Sequence, residues 1–330
     1  MKMKQLLILT GVISLNIGFA QEKNDITLKP QTIERQYLGQ KPPGLVPEIF
    51  APGIISIDSL IEGSITFNKE MNELFFQRRE REESHNIYTM KLIKGKWSTP
   101  KQAFFSTNKK YLDLHPRFSP NGDRLYFGST RPLNDSVKSS GLHQWYIKKG
   151  KSGWEDPVLL SEKLFENEWI MCVNSTEQGN LYFNSKEKEE KLEDEGIYYS
   201  VNQGGEYSKL KKMSNKINAP GKWIAHPYIA PDESYIIYDA ERTSKYENGD
   251  LYISFNINGS WTKSYSLGSK INTEKSETGA TVSPDGKYLF FSRGVIRTRE
   301  DGSTYWLTDT YWVDFVQLKK ELMEENILNN

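Results

Sequence analysis

The sequence has a single cysteine, Cys172, among 330 residues. A disulfide within the chain is therefore excluded, and stability has to come from a packed core and backbone pairing. The cysteine itself reads as a small buried hydrophobe, the usual role of a lone thiol. A surplus of charge is missing too: 43 basic side chains stand against 43 acidic ones. That balance removes the electrostatic case for nucleic acid or an anionic membrane surface as the main partner. Long apolar runs are confined to the N-terminus. Lys2 and Lys4 precede the run Leu6 to Leu15, and Gly18 and Ala20 stand ahead of a cut before Gln21. Residues 1–20 read as a cleaved secretory signal peptide, which leads us to expect a periplasmic or secreted protein. No cysteine lies near the cut for lipid attachment, and no second run reaches bilayer length, so no membrane span is expected.

Signatures of catalysis are equally scarce. There is no GxSxG elbow, P-loop, HExxH, CxxC or Asp/Gly calcium loop. The acidic run EKEEKLEDE, residues 187–195, reads as a solvated loop. Paired carboxylates for glycosidic chemistry can be proposed in any chain with 43 acids, so they carry no information here.

What the sequence does have is aromatic weight and repetition. Aromatics make up 12% of the residues, which suits pleated, half-buried strands. The triplet Leu289-Phe290-Phe291 has counterparts at Leu74-Phe75-Phe76, Leu125-Tyr126-Phe127, Leu181-Tyr182-Phe183 and Ile236-Ile237-Tyr238. Successive intervals are 51, 56, 55 and 53 residues. Each triplet follows a turn-like segment, of which FSPNGDR and VSPDGKY are the clearest. There proline presets the backbone, and glycine or asparagine accepts positive φ. A second ladder, ending in Tyr88, Tyr146, Tyr198, Tyr252 and Tyr311, marks a third strand in each unit. Trp97, Trp154, Tyr207 and Trp261 are expected to start a fourth strand.

Four antiparallel strands repeating every 50-odd residues predict an all-β, five-bladed β-propeller. The fifth unit lacks a fourth strand, while Gly44 to Ser56 aligns with KWSTPKQAFF and has no strands before it. That N-terminal segment is expected to complete the last blade, which removes an open sheet edge. A sixth, degenerate blade is the alternative, with no spare residues to build it. The expected organisation is a signal peptide (1–20), a polar linker (21–43), the propeller (44–316) and a short C-terminal helix or tail (317–330).

SPDGKYLFFSR, SPNGDRLYFGSTR and NGDLYIS resemble the WD40-like, PD40 or TolB-type propeller repeat of bacterial envelope proteins. The resemblance covers nearly all of the chain after the leader and implies a periplasmic or secreted propeller. The role expected of it is that of a non-enzymatic binding or scaffold module, with an envelope protein or a glycan as partner. Neither a cofactor nor a second copy of the chain is called for, and a monomer is expected.

In such a ring the inner strands line a central channel. Counting ten residues back from each triplet gives Ser64, His115, Met171, His226 and Gly279; two residues on come Thr66, Arg117, Val173, Tyr228 and Thr281. The segments after the second strand carry Arg78, Arg131, Glu241, Arg242 and Arg293. The candidate ligand site is one channel mouth with His115, Arg117, His226, Tyr228, Arg131 and Arg242, suited to an anionic or sugar-like ligand. The plainer alternative is that His-Pro begins an inner strand and the arginines tie blades together. No metal site is expected, because two histidines two blades apart need a third ligand and no motif supplies one. A glycan-processing hydrolase or lyase using His115 and His226 is the alternative function.

Overall fold

The computed structural model describes residues 36–58, 60–79, 84–133, 141–161, 164, 170–187, 195–218, 223–241, 249–298 and 301–328. The predicted signal peptide lies outside the described residues, as does Arg242. Among the described residues no helix is long and apolar enough to cross a membrane.

Five antiparallel sheets form the ring. Their inner strands are Ile61–Phe67, Asp113–Phe118, Ile170–Ser175, Ile224–Ile229 and Ser276–Val282, in blades 1 to 5. Each pairs with a second strand carrying the apolar triplet, and that strand pairs with a third. The triplets are apolar throughout because the second strand is covered on both faces, by the blades on either side. Leu74, Phe75 and Phe76 are all buried, as are Leu125, Tyr126 and Phe127. A strand buried on both faces loses the inside–outside alternation of a surface strand.

The fourth strands differ in one respect from the sequence reading. Trp97, Trp154 and Trp261 do not start them; they sit in two-residue arms folded back on the end of the third strand. Tyr207 holds the same place in a hairpin with Asn202–Gln203. The outer strands follow at Lys101–Gln102, Val158–Leu159, Lys211–Lys212 and Tyr265–Ser266. The aromatic residue plugs the gap between blades instead: the Trp154 Nε1–H donates to Glu73 Oε1 of blade 1 at 3.1 Å.

The ring closes through its N-terminal segment. Glu48–Ile49 pairs antiparallel with Thr304–Asp314, setting Glu48 opposite Trp312 and Ile49 opposite Tyr311, and so becomes the outer strand of blade 5. Phe50, fully buried, packs edge-on against Phe290 and Trp312, each with ring centroids 5.0 Å away. The end of the stretch read as a polar linker joins this seal. Tyr37 is buried against Tyr288 and its hydroxyl donates to Asp285 Oδ1 at 2.8 Å. After blade 5 one helix, Phe315–Met323, is capped by Asp314 and buries Phe315, Leu318 and Leu322 in the core.

Candidate functional site

Every inner strand slips register once, between Gly63 and Thr66, Leu114 and Arg117, Met171 and Asn174, Ala225 and Tyr228, and Thr278 and Thr281. At each of these bulges one residue takes a left-handed backbone: Ser64 (φ 50°), His115 (52°), Cys172 (57°), His226 (47°) and Gly279 (65°). Glycine adopts that conformation freely, whereas each of the other four costs about 1–2 kcal/mol. Ten-residue spacing holds in four blades and fails in blade 3. The turn after Ser175 is one residue shorter than that after Phe118, so the ring positions are Cys172 and Asn174, not Met171 and Val173. The only cysteine therefore stands level with the two histidines.

Those three side chains converge. The His115 and His226 rings lie 4.9 Å apart at a 46° tilt. One potential ligand atom from each of His115, Cys172 and His226 falls within 4.8 Å of the others, and this is the one such cluster among the described residues. His115 Nδ1 bonds Ser64 Oγ at 2.9 Å; His226 Nδ1 meets both oxygens of Asp239 at 2.9 and 3.0 Å. Asp239 is fully buried and also accepts from the Gly279 backbone N–H. Burial, reinforced by the neighbouring His226 and Arg117, holds His115 well below its ordinary value and so neutral. Burial pulls His226 down as well, but Asp239 outweighs it and leaves that imidazole raised. Burial pushes the Cys172 thiol up to about 12, against the pull of Arg117.

The next level, two residues along each inner strand, holds Thr66, Arg117, Asn174, Tyr228 and Thr281. Three of these tie blades together through backbone. Thr66 Oγ1 accepts from Phe118 N, Asn174 Nδ2 donates to Pro227 O at 2.6 Å, and Thr281 Oγ1 donates to Ile65 O at 2.8 Å. Tyr228 turns its ring toward Tyr235. Arg117 makes no such tie. It is 2% exposed and donates once, from Nη1 to Pro116 O at 3.1 Å, while its Nε and Nη2 have no hydrogen-bond partner. Burial pulls the guanidinium below its ordinary value.

Arg117 and Tyr228 line a cavity of about 910 Å³ at the end of the channel formed by the turns between first and second strands. Those turns bring Ser119, Glu177, Pro231 and Pro284 to its rim, and Tyr126, Tyr146 and Tyr207 supply aromatic wall.

The six residues expected at one mouth are thus distributed. Arg117 and Tyr228 share the cavity, and His115 and His226 form the level beneath it. Arg131 stands at the opposite end of its blade, where it bonds Asp113 Oδ1 at 3.0 Å and Phe105 O at 2.9 Å and covers the Phe127 ring. Arg293 does the same with Glu277 and Ile271 O, whereas Arg78 donates to Ile55 O and only approaches Glu62, at 3.4 Å. The carboxylate facing each of these three arginines belongs to its own blade, and the carbonyl each one reaches lies in the segment that leads in from the blade before, so the ion pairs themselves do not join blades. An antiparallel blade puts the end of strand two beside the start of strand one, so the segments after strand two open away from Arg117.

No family model matches the sequence, and no curated protein matches it. Solved structures do. TolB from Acinetobacter baumannii is 14% identical with a TM-score of 0.46, over 78% of this chain and 57% of that one. The polysaccharide lyase Uly1 is 14% identical with a TM-score of 0.39, over 77% of this chain and 58% of that one. An α-L-arabinofuranosidase from Lactobacillus brevis is 12% identical with a TM-score of 0.46, over 76% of this chain and 91% of that one. Likenesses at these scores decide no activity, and the chain spans less than two thirds of the first two.

Proposed function

We propose that this chain is an exported, non-enzymatic propeller module that binds an anionic, hydroxyl-rich ligand, an acidic glycan, in the cavity above Arg117. The observation that carries this reading is Arg117 itself. A guanidinium removed from water with two of its three nitrogens unbonded is a costly arrangement. A carboxylate or sulfate entering the cavity supplies the missing acceptors once the guanidinium turns its two covered nitrogens toward it, in the forked geometry that arginine favours. The tyrosine wall suits the apolar faces of sugar rings, and Asn174, Thr66 and Thr281 place amide and hydroxyl groups at the same level. The rigid ring holds these groups in place before the ligand arrives, which lowers the ordering cost of binding.

The test is calorimetry with uronic-acid oligosaccharides beside neutral ones of the same size. Acidic oligosaccharides are expected to bind, and Arg117→Met to weaken that binding by about ten- to a hundredfold, the range of a charge-assisted hydrogen bond. Arg117→Lys is expected to fall between the two, retaining charge without the fork. Equal affinity for neutral and acidic sugars, or binding indifferent to Arg117→Met, rejects the reading. A silent glycan panel points to a protein partner instead.

A further inference from the structure

From the convergence of His115, Cys172 and His226, we infer that the channel holds a transition-metal site of the zinc class, built from the bulge residues of blades 2, 3 and 4. The inference is independent of the ligand assigned to Arg117. Two imidazoles and a thiolate are a borderline-soft donor set, which suits Zn²⁺ and its optical stand-in Co²⁺ better than Mg²⁺ or Ca²⁺. The three donor atoms already lie within 4.8 Å of one another. Tetrahedral zinc, with bonds of about 2.0–2.3 Å, sets its ligand atoms roughly 3.3–3.6 Å apart, so closing on a metal takes a movement of about 1 Å.

Three further features point the same way. First, one nitrogen of each ring is occupied and the other is left for a metal. Nδ1 of His226 is held by the Asp239 carboxylate and Nδ1 of His115 by Ser64, while neither Nε2 makes a hydrogen bond among the described residues. A carboxylate behind a histidine is the arrangement that fixes tautomer and ring direction for metal ligation. Second, Asp239 is itself held by the Gly279 backbone N–H, so the orienting group is fixed from blade 5. Third, the three donors sit at left-handed backbone positions where glycine would be unstrained, as Gly279 shows in blade 5. Strain is retained at these three positions and at Ser64, whose hydroxyl holds the His115 ring. Three protein ligands leave a fourth coordination position for water or an incoming group, the pattern of zinc sites that do chemistry. Binding releases the thiol proton of Cys172 to solvent, together with the proton on the ligating nitrogen of His226 wherever that imidazole is charged, and no oxidant or reductant is involved.

The experiment uses the full chain without a histidine tag, stripped of metal and dialysed against Zn²⁺ or Co²⁺. One equivalent is expected to bind, and the cobalt form is expected to show a thiolate-to-metal charge-transfer band in the near ultraviolet. Cys172→Ser is expected to abolish the band, and Asp239→Asn to weaken Zn²⁺ binding about 10- to 100-fold while leaving the band in place at saturating cobalt. Melting of each metal-free variant separates lost ligation from lost folding. If Cys172→Ser does not fold, His115→Gln and His226→Gln serve the same purpose through lost affinity. A wild-type chain that binds neither ion overturns the inference, as does a cobalt spectrum unchanged by Cys172→Ser.

Discussion

Arg117 sets stability against binding at one position. Its guanidinium is buried beside Cys172 and Tyr228, and the one carboxylate that acts on it, Asp239, makes no hydrogen bond with it. Methionine fills similar volume without a charge to desolvate, so Arg117→Met is expected to raise the stability of the ligand-free protein by at least about 1 kcal/mol, as replacing an ill-paired buried charge does. Urea unfolding with an unchanged slope checks this, and a destabilised variant contradicts it. Arg131 behaves in the opposite way, because its removal strands the buried Asp113. Arg131→Met is expected to cost about 3–5 kcal/mol in the same measurement, with oligosaccharide affinity untouched. Glu62 supplies a pH dependence. Burial, only partly offset by Arg78, raises its carboxyl from 4.5 to about 8, so the folded state keeps a proton that the unfolded chain gives up. Stability from this group is whole below about pH 4.5 and is lost as pH rises toward 8. Glu62→Gln is expected to flatten that alkaline decline in a melting series from pH 5 to 9; an unchanged slope assigns the decline elsewhere.

At the scale of the element, the blades were legible because their physics is periodic. The triplets, the turns before them and the tyrosine ladder recur at near-constant spacing. Each encodes a local requirement: burial on both faces, positive φ, a strand in register. The closing strand was legible from one alignment, Pro47 on Pro100, which sets Glu48–Ile49 level with Lys101–Gln102. The bulges were not legible: spacing lines up Ser64, His115, His226 and Gly279, but nothing local in residues so unlike one another announces a left-handed backbone. The cysteine was missed for a definite reason. One residue fewer in the blade 3 turn shifts the count, and fixed spacing then lands on Met171. Spacing likewise could not say which end of a strand opens on the cavity, so Arg131 was grouped with Arg117 although the blade separates them. Phe50 marks the value of the closing strand. It is fully buried among Phe67, Phe290 and Trp312, and Phe50→Ala is expected to cost about 3–5 kcal/mol by chemical denaturation. A cost below about 1 kcal/mol makes the closing strand an ornament of the ring.

For the whole molecule, the seal sets an order of events. Ser56 and Thr310, 254 positions apart, exchange hydrogen bonds across it, and Tyr37 reaches Asp285 over 248. Contacts of that sequence separation form last, because the chain between them has to be compact before its ends can meet. Four blades can assemble as the chain emerges; the fifth waits for both of its ends. The N-terminal strand, the first of the ring to be synthesised, is thus the last to find its partner, and until then blade 5 presents an open edge. Unfolding should begin where folding finishes. Phe50→Ala is accordingly expected to speed unfolding while leaving the refolding rate nearly unchanged, a difference that stopped-flow fluorescence resolves.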